Sequence, residues 1–279
     1  MHLSGKSVLI TGGGSGIGAG IAADLAAHGA TITIAGRRAD RLADVAAAIN
    51  QAHPGAALPH ATDVTDEAQV AELITAAVEH GGGKLDGIVS CAGGSETIGP
   101  ITQIDSDAWK RTVDLNINGT MFTVKHGARA LVAGGGGAIV AISSIAASNT
   151  HRWFGAYGVT KSGVDHLVAL AADELGPSNV RVNGIRPGLT RTELVAAITE
   201  SPELSQNYAD NTPLPRIGEV ADIANLTRFL LGDESSWITG QVINVDGGQM
   251  LRSGPDFSSM LAPLFGDDGL RGVVAQANT

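Results

Sequence analysis

The sequence predicts a single-domain α/β fold in which a doubly wound parallel sheet of about seven strands carries helices on both faces. Short apolar runs alternate with longer helical segments along the chain, which is typical of consecutive β-α-β units. The 279 residues are enough for one large core, and 43% hydrophobic with 16% charged residues is ordinary for a globular domain. The 38 glycines favour the tight strand-to-helix turns of such a fold.

The strands are predicted at short runs of aliphatic and β-branched residues. Residues 7–11 (SVLIT) form the first strand, and residues 31–35 (TITIA) form the second. A third strand is expected to end at Asp63. The later strands are predicted at residues 87–90, 138–143, 180–185 and 242–245.

The helices are predicted from apolar side chains that recur at helical spacing, as at Leu42, Val45, Ala46 and Ile49. In chain order they span about residues 15–28, 39–50, 69–80, 108–131, 155–175 and 220–231. No linker-like segment interrupts the pattern before residue 250. Residues 1–249 are therefore predicted to form one domain, and residues 250–279 a C-terminal extension of it.

The composition argues against several classes of function. A net charge of −10 and an isoelectric point near 5.1 argue against a nucleic-acid partner, which requires a basic face. No apolar run reaches the roughly 18 residues of a spanning helix, and the N-terminus lacks the pattern of a signal peptide. We therefore expect a cytoplasmic protein without a membrane partner. Cys91 is the only cysteine and the eight histidines show no H-x-x-x-H pairing, so we expect no metal site.

A glycine-rich turn, residues 11–18 (TGGGSGIG), follows the first strand directly and begins the first helix. Glycines let the backbone approach a pyrophosphate, which then lies at the positive end of the helix. A glycine cluster alone could be purely structural, but its position between strand and helix favours dinucleotide binding. The predicted contacts are Gly12, Ser15, Gly16, Ile17 and Gly18.

The end of the second strand indicates which nicotinamide cofactor binds. An acidic residue here would bind the ribose 2′-hydroxyl of NAD, whereas arginine accommodates the 2′-phosphate of NADP. The chain has Arg37 and Arg38 and no acidic residue before Asp40. Their guanidinium groups suit a dianionic phosphate, although a solvated arginine pair is the alternative. The sequence therefore predicts NADP(H), with NAD less favoured.

Tyr157 and Lys161 are four residues apart, so they share one face of a helix. An ammonium group beside a phenol stabilises the phenolate, as general acid–base catalysis on an alcohol or carbonyl requires. The spacing alone also occurs in surface pairs. Ser144, however, follows a predicted strand at the sheet edge where ligands of such folds bind, and its hydroxyl can donate to a substrate oxygen.

Together, the T-G-x-x-x-G-x-G turn and the Y-x-x-x-K pair resemble the short-chain dehydrogenase/reductase family, whose fold is the Rossmann fold. The resemblance extends from residue 5 to about residue 249. It implies that Ser144 is the catalytic serine and that Asn116, in the segment LNING, holds a water in a proton relay to Lys161. It also implies that Asp63 and Val64 contact the adenine.

The resemblance assigns the remaining cofactor contacts to two segments. Residues 186–192 (RPGLTRT) resemble the family's P-G-x-x-x-T segment, which holds the nicotinamide carboxamide. Residues 90–93 (SCAG) stand where the family usually has N-N-A-G, so the backbone approach to the ribose is kept but the side-chain amides are absent. Cys91 is expected to be a small buried residue rather than a reactive thiol. The contacts implied are Pro187, Gly188, Leu189, Thr192, Cys91, Ala92 and Gly93.

These features predict an NADP-dependent enzyme that transfers a hydride between nicotinamide and a carbonyl or secondary alcohol. A lid at residues 189–218, with residues 96–98 and 151–154, implies a partly apolar small molecule: a 3-oxoacyl thioester, a steroid-like ketone or another ketone. The alternatives are an enoyl or dienoyl thioester reductase and a catalytically idle NADP(H) sensor.

The resemblance also implies a homotetramer. An apolar C-terminal tail is predicted to pack on a neighbouring subunit or near the pocket. Its apolar residues are Met250, Leu251, Phe257, Met260, Leu261, Leu264 and Phe265.

Overall fold

The computed structural model describes residues 3–151, 153–196 and 200–252, together with residues 263, 266 and 268. It contains a seven-stranded sheet in the order β3-β2-β1-β4-β5-β6-β7, in which every neighbouring pair is parallel. The order reverses between β1 and β4, which confirms the predicted doubly wound fold. The strands are β1 Ser7–Thr11, β2 Thr31–Gly36, β3 Ala57–Ala61, β4 Gly87–Ser90, β5 Gly137–Ile142, β6 Val180–Pro187 and β7 Val242–Val245.

Helices cover both faces of the sheet. They are α1 Gly16–Ala27, α2 Ala39–Ala52, α3 Glu67–His80, α4 Ser106–Val113, α5 Gly119–Ala133, α6 Ala156–Leu175, α7 Pro202–Asp210 and α8 Val220–Leu231. One buried core lies between the sheet and helices α1, α2 and α8. A second buried core lies on the opposite face, beneath α3, α5 and α6. The site described below therefore rests on a sheet that is fixed from both sides.

The predicted helix at residues 108–131 is wrong in one respect, because it is interrupted. Helix α4 ends at Val113, a π-turn spans Asp114–Asn118, and α5 begins at Gly119. The amide of Gly119 donates to the carbonyl of Asp114, five residues earlier. Apolar periodicity cannot predict such a turn, because the π-turn depends on the hydrogen-bond partners of the buried Asn116 side chain.

The third strand also ends earlier than predicted, at Ala61 rather than Asp63. The carboxylate of Asp63 accepts bonds from the amide and hydroxyl of Thr65, which turns the chain out of the sheet. Asp66 then caps α3, accepting from the amides of Ala68 and Gln69, so that this helix begins before the predicted residue 69. The other boundaries differ from prediction by a residue or two.

The segment predicted as a lid contains the helix α7, which the sequence analysis did not predict. Of the apolar tail residues, Met250 and Leu251 are described and Leu251 is exposed. The predicted packing of the later tail residues, from Phe257 to Phe265, lies outside the described residues. No helix among the described residues combines the length and the apolar character needed to cross a membrane.

Candidate active site

The strand order reverses between β1 and β4, and ligands of doubly wound folds bind in the crevice beyond the carboxyl ends of the strands at such a reversal. Thr11 ends β1 and is fully buried. Its hydroxyl oxygen accepts from the amides of Cys91 and Ala92, at 3.2 and 3.3 Å. This bond pair joins the glycine-rich turn to the segment after β4, so two predicted cofactor segments lie side by side.

The glycines of the turn are required by close backbone contacts. Gly12 has a φ of 72°, and a side-chain carbon at this position would lie 2.8 Å from the amide nitrogen of Ala92. A side-chain carbon on Gly18 would collide with the carbonyl oxygen of Gly12. Both residues are therefore glycine because the strand, the turn and the first helix meet at backbone contact distance.

The N-terminus of α1 has the features of an anion-binding site. Ser15 occupies the N-cap position without a side-chain cap bond, and the first turn contains no acidic residue. By contrast, α3 and α4 are capped by Asp66 and Asp105, and α8 begins with a reciprocal capping box. The N–H groups of residues 16–18 therefore have no capping side chain and lie at the positive end of the helix dipole. Such a helix start suits the pyrophosphate of a dinucleotide.

Just after the end of β2, Arg38 donates to the hydroxyl of Ser15 at 3.3 Å. Arg37 and Arg38 are both exposed. Asp63 is partly exposed, and Val64 is buried against α5, where a side-chain carbon on Gly119 would lie 2.8 Å from its methyl group. The structure therefore brings Arg38 to the glycine-rich turn and places Asp63 and Val64 where the next strand ends.

Tyr157 and Lys161 lie on one face of α6, with the ammonium nitrogen of Lys161 5.8 Å from the centre of the Tyr157 ring. Lys161 is 5% exposed, and its ammonium donates to the carbonyl of Ile142 at 2.8 Å. A buried lysine is stable only with such partners. The Ile142 carbonyl, at the end of β5, was missed by the sequence analysis because a backbone acceptor leaves no signal in residue type.

The two consecutive serines after β5 have different surroundings. Ser143 is buried, and its hydroxyl donates to the carbonyl of Lys161 at 3.2 Å. Ser144 is partly exposed and has an extended backbone. The hydroxyl oxygen of Ser144 accepts from the amide of Ala146 at 3.1 Å, which leaves its proton to be donated outward. Ser144, rather than Ser143, is thus placed to contact a substrate oxygen.

Asn116 is completely buried in the π-turn. Its amide nitrogen donates to the carbonyl of Gly94 and to the hydroxyl of Thr160, both at 2.8 Å. Its amide oxygen accepts from the amide of Gly94 at 2.9 Å. Both N–H groups are therefore used, so neither is left to donate to the predicted relay water. Thr160 is a second residue that the sequence analysis missed.

The segment after β6 reaches from the sheet to the glycine-rich turn. Gly188 donates to the carbonyl of Val245 at 2.9 Å, and the carbonyl of Leu189 accepts from Gly218 at 3.0 Å. The methyl carbon of Thr192 lies 3.4 Å from the point where a side chain on Gly16 would begin. With Pro187 ending β6, the predicted nicotinamide segment thus closes one side of the crevice.

Cys91 is partly buried in the crevice. Burial raises the pKa of the Cys91 thiol to about 11, although the nearby charge of Lys161 acts in the opposite direction. The neutral thiol is therefore favoured, as expected of a small packing residue. Ala92 and Gly93 follow it, and a side-chain carbon on Gly93 would lie 3.1 Å from the Lys161 ammonium.

The rings of His151 and Phe154 form an aromatic row that ends at Tyr157. The rings of His151 and Phe154 are 5.9 Å apart, and those of Phe154 and Tyr157 are 6.3 Å apart, both edge to face. Beyond them, Ile98 is 79% and Trp153 54% exposed. The Trp153 carbonyl accepts from the Gly99 amide at 2.8 Å, which ties the two loops together.

Within the described part of the chain, no cluster of three His, Cys, Asp or Glu side chains could hold a metal.

Comparison with known proteins gives a consistent result. Residues 12–250 match a family model described as enoyl-(acyl carrier protein) reductase. The chain is 35% identical over 248 residues to 7α-hydroxysteroid dehydrogenase of Escherichia coli K12, covering 89% of this chain and 95% of that protein. It is 36% identical over 244 residues to cis-4-hydroxycyclohexanecarboxylate dehydrogenase of Sinomonas cyclohexanicum, covering 87% and 96%.

Solved structures agree with these matches. A short-chain type dehydrogenase/reductase from Mycobacterium ulcerans has a TM-score of 0.88 and 63% identity, covering 98% of this chain and 100% of that chain. A 7α-hydroxysteroid dehydrogenase in complex with NADH and 7-oxo glycochenodeoxycholic acid has a TM-score of 0.83 and 34% identity, covering 88% and 95%. The TM-scores show that these two proteins share the fold described above.

Proposed function

The chain belongs to the short-chain dehydrogenase/reductase family of oxidoreductases, and on that premise we propose that it interconverts a secondary alcohol and a ketone with NADP(H). One observation carries the proposal. The ammonium of Lys161 lies 5.8 Å from the ring of Tyr157, at the edge of the sheet where Ser144 keeps a hydroxyl proton to donate. An acid–base pair and a hydrogen-bond donor therefore face one crevice.

Each of these residues has a defined part in the reaction. A nicotinamide held in this crevice would supply the hydride in reduction and accept it in oxidation. In the reductive direction Tyr157 donates its phenolic proton to the carbonyl oxygen, and in the oxidative direction it removes that proton. The hydroxyl of Ser144 donates to the same oxygen and stabilises the negative charge that develops on it. The positive charge of Lys161 stabilises the phenolate left after proton transfer, and Asn116 fixes the adjoining turn.

NADP(H) is proposed as the cofactor because of the charges at the adenosine end. The exposed guanidinium groups of Arg37 and Arg38 offer forked donors to a 2′-phosphate, and no acidic residue occupies the end of β2. The related 7α-hydroxysteroid dehydrogenase was solved with NADH, so family membership alone does not decide between the two cofactors. The preference for NADP(H) follows from this chain's own arginines.

The substrate is proposed to be a partly apolar small molecule. Ile98 and Trp153 are exposed, and the bond from the Gly99 amide to the Trp153 carbonyl joins their two loops. A ring or chain of carbon atoms would cover such apolar side chains. The relatives named for hydroxysteroids and hydroxycyclohexanecarboxylates act on such alcohols. The family model's description keeps an enoyl thioester reductase as the second candidate.

The homotetramer stays a prediction.

The decisive experiment compares the wild-type enzyme with Tyr157→Phe. NADPH consumption is followed with steroid ketones, cyclohexanone carboxylates, 3-oxoacyl thioesters and enoyl thioesters. We expect ketone reduction by the wild type, a loss of roughly 100- to 10,000-fold in the variant, and unchanged NADPH affinity. Thr75→Val, which removes the hydroxyl of an exposed side chain on α3, is the control and should retain turnover.

The outcomes separate the candidates. Full activity of Tyr157→Phe would contradict the proposed role of the phenol. Reduction of enoyl thioesters alone would favour the second candidate. NADPH binding without turnover of any compound would favour the idle sensor.

A further inference from the structure

We infer that the hydroxyl of Thr160 is a positioning group of the active site, which fixes the Asn116 turn against the helix that carries Tyr157 and Lys161. The inference rests on the proposed function, because it concerns the same site. Thr160 is not among the residues that the sequence analysis assigned to catalysis or cofactor binding. Its importance comes from the contacts of its side chain.

The Thr160 hydroxyl is buried and has a partner on each side. The residue is 1% exposed. Its hydroxyl donates to the carbonyl of Tyr157 at 2.8 Å, within α6. The same oxygen accepts from the amide nitrogen of Asn116 at 2.8 Å, in the π-turn. One oxygen atom therefore joins the catalytic helix to the turn between α4 and α5.

The turn that Thr160 fixes lies beside the Lys161 ammonium. A side-chain carbon on Gly93 would lie 3.0 Å from the Asn116 amide oxygen and 3.1 Å from the Lys161 ammonium, so both groups face one small volume. Thr160 immediately precedes Lys161 on α6. A displacement of the Asn116 turn would therefore change the polar surroundings of the ammonium, while the lysine keeps its bond to the carbonyl of Ile142.

The hydroxyl, rather than the volume of the side chain, is what the site requires. Valine has nearly the shape of threonine, but it would leave one N–H group of Asn116 without an acceptor in a fully buried position. The π-turn must then shift until that N–H finds water or another acceptor. Serine keeps the oxygen and should keep the turn in place.

The experiment uses the full-length protein and three variants. Thr160→Val removes the hydroxyl, and Thr160→Ser retains it. Thr227→Val is the matched control, because the Thr227 hydroxyl is also fully buried and donates to the carbonyl of Ile223 on α8, across the sheet from α6. The measured quantities are kcat as a function of pH, the solvent deuterium isotope effect on kcat, the KM for NADPH and the melting temperature.

We expect Thr160→Val to lower kcat by about tenfold to a hundredfold and to shift its pH profile, with little change in the KM for NADPH. Thr160→Ser should restore both kcat and the profile. Thr227→Val should lower only the melting temperature. If Thr160→Val does not fold, Thr160→Ala is judged by the same criteria, since it removes the hydroxyl but leaves room for water.

The inference is overturned if the variant lacking the hydroxyl keeps the wild-type kcat and pH profile while it loses stability as Thr227→Val does. That result would leave the proposed function intact, because the wild-type enzyme would still depend on Tyr157. Absence of Tyr157-dependent turnover in the wild type would instead remove the proposed function and, with it, this inference.

Discussion

The guanidinium group of Arg38 donates to the hydroxyl of Ser15 across 3.3 Å, which connects the end of β2 to the residue that precedes α1. The two residues belong to different parts of the predicted cofactor site, and the structure brings them into contact. Ser15 makes no side-chain cap bond to its own helix, so the amides of the first turn have no capping side chain. An anionic group bridging these elements would meet a cation, a hydroxyl and a helix N-terminus together.

Substitution of the arginines tests the choice of cofactor. Arg38→Asp and Arg37→Asp should each lower kcat/KM for NADPH by about tenfold to a hundredfold, because charge-assisted bonds to the phosphate are replaced by repulsion. The value for NADH should fall less or rise. Arg129→Asp, at an exposed arginine of α5, is the control for charge alone. An unchanged NADPH-to-NADH ratio in both variants would show that neither guanidinium contacts the 2′-phosphate.

The close contact between Gly18 and Gly12 predicts a strict requirement for glycine. In Gly18→Ala the new methyl group would meet the carbonyl oxygen of Gly12, so the turn must move. We expect the free energy of unfolding to fall by about 1–3 kcal/mol and NADPH binding to weaken. In Gly134→Ala the methyl group would lie 3.4 Å from the nearest atom, an ordinary contact, and stability should hardly change. Equal unfolding midpoints for the two variants in urea would contradict this account.

The raised pKa of Cys91 predicts a slow reaction with alkylating agents. With a pKa of about 11, the thiol is neutral below that pH, and only about one molecule in a thousand carries the thiolate near pH 8. The native protein should therefore be labelled by iodoacetamide far more slowly than the unfolded chain, and the rate should still rise between about pH 9 and pH 10. Since Cys91 is the only cysteine, intact mass reports its labelling directly. Rapid native labelling near pH 8 would contradict the raised pKa of this thiol.

Much of the fold follows from local sequence patterns. The runs at residues 7–11, 87–90 and 242–245 predict β1, β4 and β7 with the observed boundaries. β1 and β4 are fully buried, whereas β7 is only partly buried. All three runs are short and rich in aliphatic or β-branched residues, which marks them as strands by residue type. The π-turn is different, because no residue in Asp114–Asn118 requires it locally. It depends on Asn116 reaching Gly94 and Thr160, which are distant in sequence.

In the candidate site, too, some residues can be predicted from the sequence and others cannot. Tyr157, Lys161 and Ser144 could be predicted because side-chain chemistry at a fixed spacing is visible in the sequence. The acceptor for Lys161 could not, since the Ile142 carbonyl is a backbone atom that any residue could provide. Thr160 was overlooked because a threonine within a helix is ordinary until its tertiary partner is known. Sequence patterns therefore identify reacting groups more readily than the groups that position them.

Trp153 has an unusual backbone conformation for its residue type. Its φ is 73°, a left-handed value that is rare for a bulky side chain and costs about 1–2 kcal/mol. Its indole is 54% exposed, and Trp153 immediately precedes Phe154, whose ring packs edge to face against that of Tyr157. Backbone strain beside a candidate active site favours a functional role for this residue.

Replacement of this indole should therefore alter substrate preference without loss of stability. Trp153→Asn retains a residue that tolerates the left-handed conformation, so the melting temperature should stay the same or rise slightly. The kcat/KM for large apolar ketones should fall by about tenfold, because these substrates lose their apolar contact with the indole. Small ketones do not reach the indole and should be reduced at the wild-type rate. Trp237→Asn, at a fully exposed tryptophan before β7, controls for the removal of a surface indole. An equal fall for large and small ketones would show that Trp153 supports the loop and does not contact the substrate.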